Sequence, residues 1–264
     1  MFCLKILLGV NIDHIAVLRE ARKVNSPNLI DALSVVEQAG ADQITIHLRE
    51  DRRHIQDEDV KNIIQNSVLP INLEISINSQ IVDFTTEIKP HRATIVPEKR
   101  EEVTTEGGLD IFSFYEDIEN IIEDLQNSDI EVSLFIDPTI KNVKLAKKLN
   151  SDWVELHTGR FANLYAMLNT NISKTHHSIF EFEHLSRKEL KKELNQSLRD
   201  LKESSKFAKS LGLKVAGGHG LNYQNIKLFT EVVEVEEVNI GQSIVARSIF
   251  IGLEKAILDM KELI

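Results

Sequence analysis

Eight short β-rich runs recur along the chain, at 5–13, 43–49, 71–77, 92–97, 131–137, 153–158, 214–219 and 236–241. Helical patterns lie between them. Strands that alternate with helices are joined by right-handed crossovers, so the strands lie parallel. Eight such units in 264 residues match the number and length that close a (β/α)8 TIM barrel. The expectation is a single barrel domain over 1–264. A doubly wound open sheet is the architectural alternative. However, "GVNIDH" stands after the first strand, where a dinucleotide-binding turn would place its glycines.

The clearest helical patterns carry their own punctuation. "NLIDALSVVEQAG" closes on Gly40, a residue suited to a helix C-terminus. "SFYEDIENIIEDLQNSD" opens on Ser113 with Glu116 three residues later, the spacing of a capping box. "NVKLAKKLN" and "NIKLFTEVV" are shorter, and "IVARSIFIGLEKAILDMKELI" closes the chain. One crossover breaks the rhythm. Between the sixth and seventh strands, 170–212 forms an extended excursion, with Arg187 to Gly212 reading as one long, charged helix. His176, His177 and His184 fall in its polar first part, which reads as a solvated loop.

Side chains alternate between the two faces of a strand. In a barrel one face meets the helices and the other points into the lumen. Sorted by parity, Ile44, Ile46 and Leu48 oppose Thr45, His47 and Arg49. Ile71, Leu73, Ile75 and Ile77 oppose Asn72, Glu74 and Ser76. Val132, Leu134 and Ile136 oppose Ser133 and Asp137, while Val154 and Leu156 oppose Glu155 and His157. Val10 and Ile12 oppose Asn11 and Asp13. A purely structural barrel fills its lumen with branched apolar side chains. Here the upper lumen is polar and ionisable, and burying such groups without partners costs about 2–7 kcal/mol each. A site at the C-terminal mouth, where barrel enzymes place their chemistry, accounts for them.

Of nine histidines, His14, His47, His54, His157 and His219 fall at or just past C-terminal strand ends. One alone would suit a structural role; five on one rim point to a site. Glu74 is either an ion-pair partner of Arg49 or a general base. "VAGGHGLNY" and "VNIGQSIVARS" end the seventh and eighth strands with Gly217, Gly218, Gly220 and Gly241. Glycines admit a ligand close to backbone N–H groups, and a helix N-terminus attracts anions. Tight βα turns would use the same glycines, but this is the recurrent phosphate position of the barrel. "EDRRH" and "PEKREEVTTEGG" are two further basic mouth loops, candidates for a second phosphate clamp.

The net charge of −10 disfavours nucleic acid or an anionic membrane as partner. A lone Cys3 allows no disulfide within one chain and fits a reducing cytoplasm. The opening "MFCLKILLGVNIDH" reads as a strand rather than a signal peptide, and no apolar run is long enough to span a bilayer. A cytoplasmic location is expected.

Seven motifs, "GVNIDHIAVLREAR", "AGADQITIHLREDRRHIQDEDV", "NLEIS", "VPEKREEVTTEGGLD", "ELHTG", "GGHGLNY" and "NIGQSIVARSI", occur in order over nearly the whole chain. Together they closely resemble the pyridoxine 5′-phosphate synthase family. The resemblance implies a (β/α)8 barrel that condenses 1-deoxy-D-xylulose 5-phosphate with 3-amino-2-oxopropyl phosphate. It also implies no metal, no organic cofactor, and a homo-oligomer, an octamer. Carried over by position, it makes His47 and Glu74 proton acceptors, His219 a proton donor and Glu155 a transition-state stabiliser. Asp13, His14, Arg49, His54 and Thr104 match contacts to the deoxyxylulose phosphate. Asn11, Arg22, Gly220, Gly241 and Gln242 match contacts to the amino-ketone phosphate, with Gln242 standing where the family usually has His.

The residues suit that chemistry: two phosphorylated substrates need two anion sites, and ring closure needs repeated proton transfers. An isomerase or epimerase of a sugar phosphate would need only one phosphate site. A metal-dependent hydrolase would draw on Asp13, His14, His157 and His219, but adjacent residues of a strand point apart, unlike a His-x-His pair. A non-enzymatic scaffold would leave the polar lumen unexplained.

Overall fold

Every one of the eight runs forms a strand in the computed structural model, which describes residues 5–98 and 107–264. In chain order the elements are β1 (Leu7–Asn11), α1 (Asp13–Arg22), α2 (Leu29–Gln38), β2 (Gln43–His47), α3 (Asp57–Asn66), β3 (Ile71–Ile75), α4 (Ser79–Ile88) and β4 (Arg92–Ile95). There follow α5 (Tyr115–Asn127), β5 (Glu131–Ile136), α6 (Ile140–Lys148), β6 (Trp153–His157), α7 (Gly159–Asn169) and α8 (Arg187–Ser210). The chain continues through β7 (Lys214–Gly218), α9 (Ile226–Val232), β8 (Glu237–Ile240), α10 (Gln242–Ile251) and α11 (Leu253–Lys261). The strands are parallel, each beside the next, and β8 pairs back to β1 from Leu7 with Glu237 to Val10 with Ile240. The barrel is closed. No helix among the described residues is long and apolar enough to cross a membrane.

The parity pattern governs the core. Val10, Ile44, Ile46, Leu73, Val132, Leu134, Val154 and Leu156 are all fully buried between sheet and helices. The lumen-facing residues stack instead as a polar column. At its base Arg92 grips Glu237 with two hydrogen bonds of 2.7 and 3.0 Å and lies 3.9 Å over the Trp153 ring. Above it, Asn239 accepts from the Thr45 hydroxyl at 3.2 Å, and Thr94 donates to Asn72 at 2.8 Å. Most of the lower lumen is paired in this way, although Arg92 Nε, Asn72 Nδ2 and Ser133 Oγ are buried without a hydrogen-bond partner among the described residues.

Several expectations change in detail. Asp13 is not a strand residue. Its N–H donates to the Asn11 side chain at 2.9 Å, a local turn that ends β1 and starts α1. The capping box expected at Ser113 and Glu116 does not form. Asp110 takes the Ser113 N–H at 3.1 Å, so α5 starts only at Tyr115. A capping box does form at Ser186 and Glu189, opening α8. Gly252, at φ +83°, splits the closing helical pattern into α10 and α11. Gly40 has φ +78° and follows α2 as expected. In the excursion, His176 and His177 are exposed, while α8 buries Leu190, Leu194, Leu198 and Leu201 along one stripe against the barrel's outer layer. Each such burial contributes about 1.5–3 kcal/mol.

Candidate active site

The column ends in a cavity of about 330 Å³ at the C-terminal mouth. Glu74, Glu155, His219, His14 and Asn11 line it, together with Gly220, Gly241 and Gln242. Glu155 stands in the middle of β6 with its carboxylate in the lumen, where Asn239 donates to Oε2 at 2.8 Å. The neighbouring strand must leave room: a Cβ at Gly218 would meet Glu155 Oε1 at 2.0 Å. Glu74 and His47 are register partners on β3 and β2, and His47 Nδ1 lies 3.7 Å from Glu74 Oε2. Asp13 braces this pair from α1, accepting the His47 backbone N–H and the Asn11 amide, both at 2.9 Å. His219 sits just past β7 at φ +73°, a left-handed conformation uncommon outside glycine and found preferentially at functional sites.

Electrostatics divide these groups. Burial, reinforced by the charges of Glu155 and Asp13, pushes the Glu74 carboxyl well above the usual carboxylate range. Burial likewise raises Glu155 to about 7, with the Asn239 hydrogen bond opposing and the charge of Glu237 adding to the rise. Burial lowers His219 to about 4, helped by His157, whose ring centroid is 5.0 Å away. His14 and His54 are also lowered by burial. The cavity thus holds Glu155, which gives and takes protons near neutrality, and Glu74, held well above the usual carboxylate range, beside an uncharged imidazole.

Two places suit anions. Gly220, at φ +90°, and Gly241, which precedes the first turn of α10, border the same cavity. Ser243 donates to Leu221 O at 3.0 Å and ties the two glycine loops together. Gln242 opens α10 between them. The second place is the turn after β2, beside His47. Arg49 is buried there, and the His54 ring centroid is 6.1 Å from that of His47. His54 Nδ1 accepts the Ile55 N–H at 2.8 Å, which leaves Nε2 as the ring's donor. Arg52 and Arg53 are committed to ion pairs with Asp57 and Asp51 rather than freely solvated.

Most of the sequence-predicted residues therefore converge. Asp13, His47, Arg49 and His54 adjoin the cavity without lining it. Arg22 is exposed at the end of α1 and does not border the cavity. Thr104 lies outside the described residues. Sequence reasoning missed Asn239 and Glu98. The same parity on β8 would have found Asn239. Glu98 was hidden in a run read as basic, yet its side chain is only 3% exposed and turned toward His47. His157, one of the five rim histidines, and the inward-facing Asp137 form a pair at 3.3 Å that holds the Asp137 carboxyl below its usual range.

Among the described residues, Asp13, His47 and Glu74 have ligand-type atoms within 4.8 Å of one another. The set is a poor metal site. Both Asp13 oxygens already accept hydrogen bonds, and Glu74 is biased toward its protonated form.

Comparison with known proteins bears on this geometry directly. Residues 8–264 match the family described as Pyridoxal phosphate biosynthesis protein PdxJ. The Pyridoxine 5′-phosphate synthase of Aliarcobacter butzleri is 62% identical over 258 residues, covering 98% of each chain. That of Nautilia profundicola is 56% identical over 257 residues, 97% of this chain and 98% of the relative. Among solved structures, a thiamine phosphate pyrophosphorylase from Pyrococcus furiosus superposes with a TM-score of 0.58 at 12% identity, covering 98% of this chain and 96% of that one. An N-(5′-phosphoribosyl)anthranilate isomerase from the same organism gives 0.53 at 16% identity, covering 97% of each. At such low identity these two likenesses speak to the barrel fold alone.

Proposed function

We infer the reaction from one premise: the chain belongs to the PdxJ family of pyridoxal phosphate biosynthesis. It is an enzyme, and its activity is the synthesis of pyridoxine 5′-phosphate from 1-deoxy-D-xylulose 5-phosphate and 3-amino-2-oxopropyl phosphate, with release of phosphate and water. The observation that best supports this reading is the convergence of Glu74, Glu155 and His219 on one cavity bordered by the glycine loops of Gly220 and Gly241.

The residue roles follow from chemistry. The amine of one substrate condenses with the ketone of the other, so the imine joins the substrates and needs no lysine. Phosphate loss, carbon–carbon closure and dehydration then require protons to be removed and returned several times. Glu74 borders the cavity and accepts a proton from the bound intermediate, and His47 behind it receives that proton in turn. A carboxyl held above its usual range is, once ionised, a stronger base than an ordinary one, which suits this step. His219 donates to departing oxygen. Burial holds it at about 4, and two bound phosphate dianions raise it, because nearby anions favour imidazolium. Glu155, at about 7, offsets positive charge as it develops on the ring nitrogen.

Asp13, His14, Arg49, His54 and Thr104 hold the deoxyxylulose phosphate in this reading. Asn11, Gly220, Gly241 and Gln242 hold the amino-ketone phosphate. Arg22 lies too exposed to join them within one chain in this conformation. The reaction proceeds without metal or organic cofactor. A cytoplasmic homo-oligomer, an octamer, completes the proposal. Val17 and Leu18 on α1 and Ile249 and Phe250 on α10 are exposed apolar side chains on packed neighbouring helices, which supports self-association. Incubating purified protein with both substrates tests the reaction by mass spectrometry. Pyridoxine 5′-phosphate forms only when both are present; product from one substrate alone, or none from both, overturns it.

A further inference from the structure

We propose that Glu98 is a positioning residue for His47, holding the imidazole in a Glu74–His47–Glu98 chain with a carboxyl group at each ring nitrogen. Glu98 follows β4, and its side chain is 3% exposed. Its Oε2 lies 3.5 Å from His47 Nε2, while Glu74 Oε2 lies 3.7 Å from Nδ1. Neither His47 Nε2 nor Glu98 Oε2 has a hydrogen-bond partner among the described residues, and both are buried. Two such atoms face one another just beyond hydrogen-bond length, and a proton on the ring draws them together.

Other groups fix the carboxylate independently of the ring. Glu98 Oε1 accepts the Glu50 N–H at 2.9 Å and lies 3.4 Å from Arg49 Nε. Glu98 therefore anchors the turn after β2, which carries Arg49 and directly follows His47. The two ends of the chain differ electrically. Burial and its acidic neighbours favour the proton on Glu74. At Glu98 burial opposes ionisation, but the contacts with His47, the Glu50 N–H and Arg49 outweigh it and hold the carboxyl below its usual range. A proton taken by Glu74 passes to Nδ1, and Nε2–H then donates to the Glu98 anion. In a later step the proton returns by the same route. Asp13, Arg49 and His54 are the other charged or titratable groups beside this ring.

This inference rests on His47 as a proton acceptor in the reaction given above. The product assay on wild-type protein tests that reaction separately. Glu98→Gln keeps shape and removes charge. Its kcat falls at least about tenfold, less than the about 10²–10⁴-fold expected for loss of a general base. One limb of the kcat profile moves to lower pH by at least about half a unit, because an anion beside the proton-relaying groups is gone. In a His47→Gln background, Glu98→Gln has little further effect on kcat. A pH profile superimposable on wild type, or an additive loss in the double variant, overturns the proposal. If Glu98→Gln does not fold, Glu98→Asp withdraws the carboxylate from the ring and moves the same limb in the same direction. An unmoved limb there overturns it equally.

Discussion

Replacing Glu155 by Gln makes the folded protein more stable and the enzyme worse. Glu155 is 2% exposed, and burial raises its carboxyl from 4.5 to about 7. The unfolded chain ionises the same group near its ordinary value, so between those values the folded state must hold a proton that the unfolded state sheds. Stability from this group is fullest below about pH 4.5, declines as pH rises toward 7, and levels off above it. At about 1.36 kcal/mol per pH unit, the cost is about 1 kcal/mol at pH 5 and about 3 kcal/mol at pH 8. Glutamine keeps an oxygen for the Asn239 amide, which now donates to Glu155 Oε2 at 2.8 Å, and carries no charge to bury. A stability change of 1 kcal/mol moves the midpoint of a chain this size by about 2–4 °C. Thermal unfolding followed by circular dichroism, at equal protein concentration, should show Glu155→Gln melting about 6–12 °C above wild type at pH 8 and about 2–4 °C above it at pH 5. A gain that does not grow with pH, or no gain at pH 8, refutes the reasoning that burial sets this carboxyl.

Other substitutions separate the roles of the site. Glu74→Gln should fold normally and lose about 10²–10⁴-fold in turnover, and steady-state rates within a few-fold of wild type would remove it as the base. Arg49→Lys keeps charge but loses the planar fork, so the Michaelis constant for the deoxyxylulose phosphate should rise while that for the amino-ketone phosphate holds. Gln242→Ala should weaken the amino-ketone phosphate alone, through loss of a hydrogen bond to an anion worth about 1.5–3 kcal/mol. Gln242→His should keep turnover and make that affinity pH-dependent across roughly pH 6–8, which Michaelis constants measured over pH would reveal.

The barrel was legible because two-residue alternation survives in most strands, from Ile44–Thr45–Ile46–His47 to Val154–Glu155–Leu156–His157, although β7 (Lys-Val-Ala-Gly-Gly) lacks it. Some helices were harder to see. In α1, Val17 and Leu18 are 44% and 48% exposed, so its apolar residues do not mark one buried face. In α3 only Val60 and Ile63 are buried, too few to set a period. The start of α5 was misplaced because a side chain outside the motif, Asp110, captured the Ser113 N–H. Site residues on strands followed from parity, as Glu74 and Glu155 did. Arg49 and Asp137, one or two residues past a strand end, still followed, but residues further on or without a polar neighbour in the pattern, such as Glu98, did not. Parity stops there, and the contact between Glu98 and His47 joins segments separated by a whole βα unit. Gly220 and Gly241 were legible as a pair because each follows a strand. The hydrogen bond from Ser243 to Leu221 that joins their loops was not.

A crystal structure of the protein with pyridoxine 5′-phosphate and inorganic phosphate tests the central claim most directly. Two separate anions are expected, one against the backbone N–H groups of Gly220, Gly241 and Gln242 and one against Arg49 and His54. The pyridine ring is expected between them, within hydrogen-bond reach of Glu74, Glu155 and His219. Both anions in one place, or a ring bound away from Glu74 and His219, would contradict that claim.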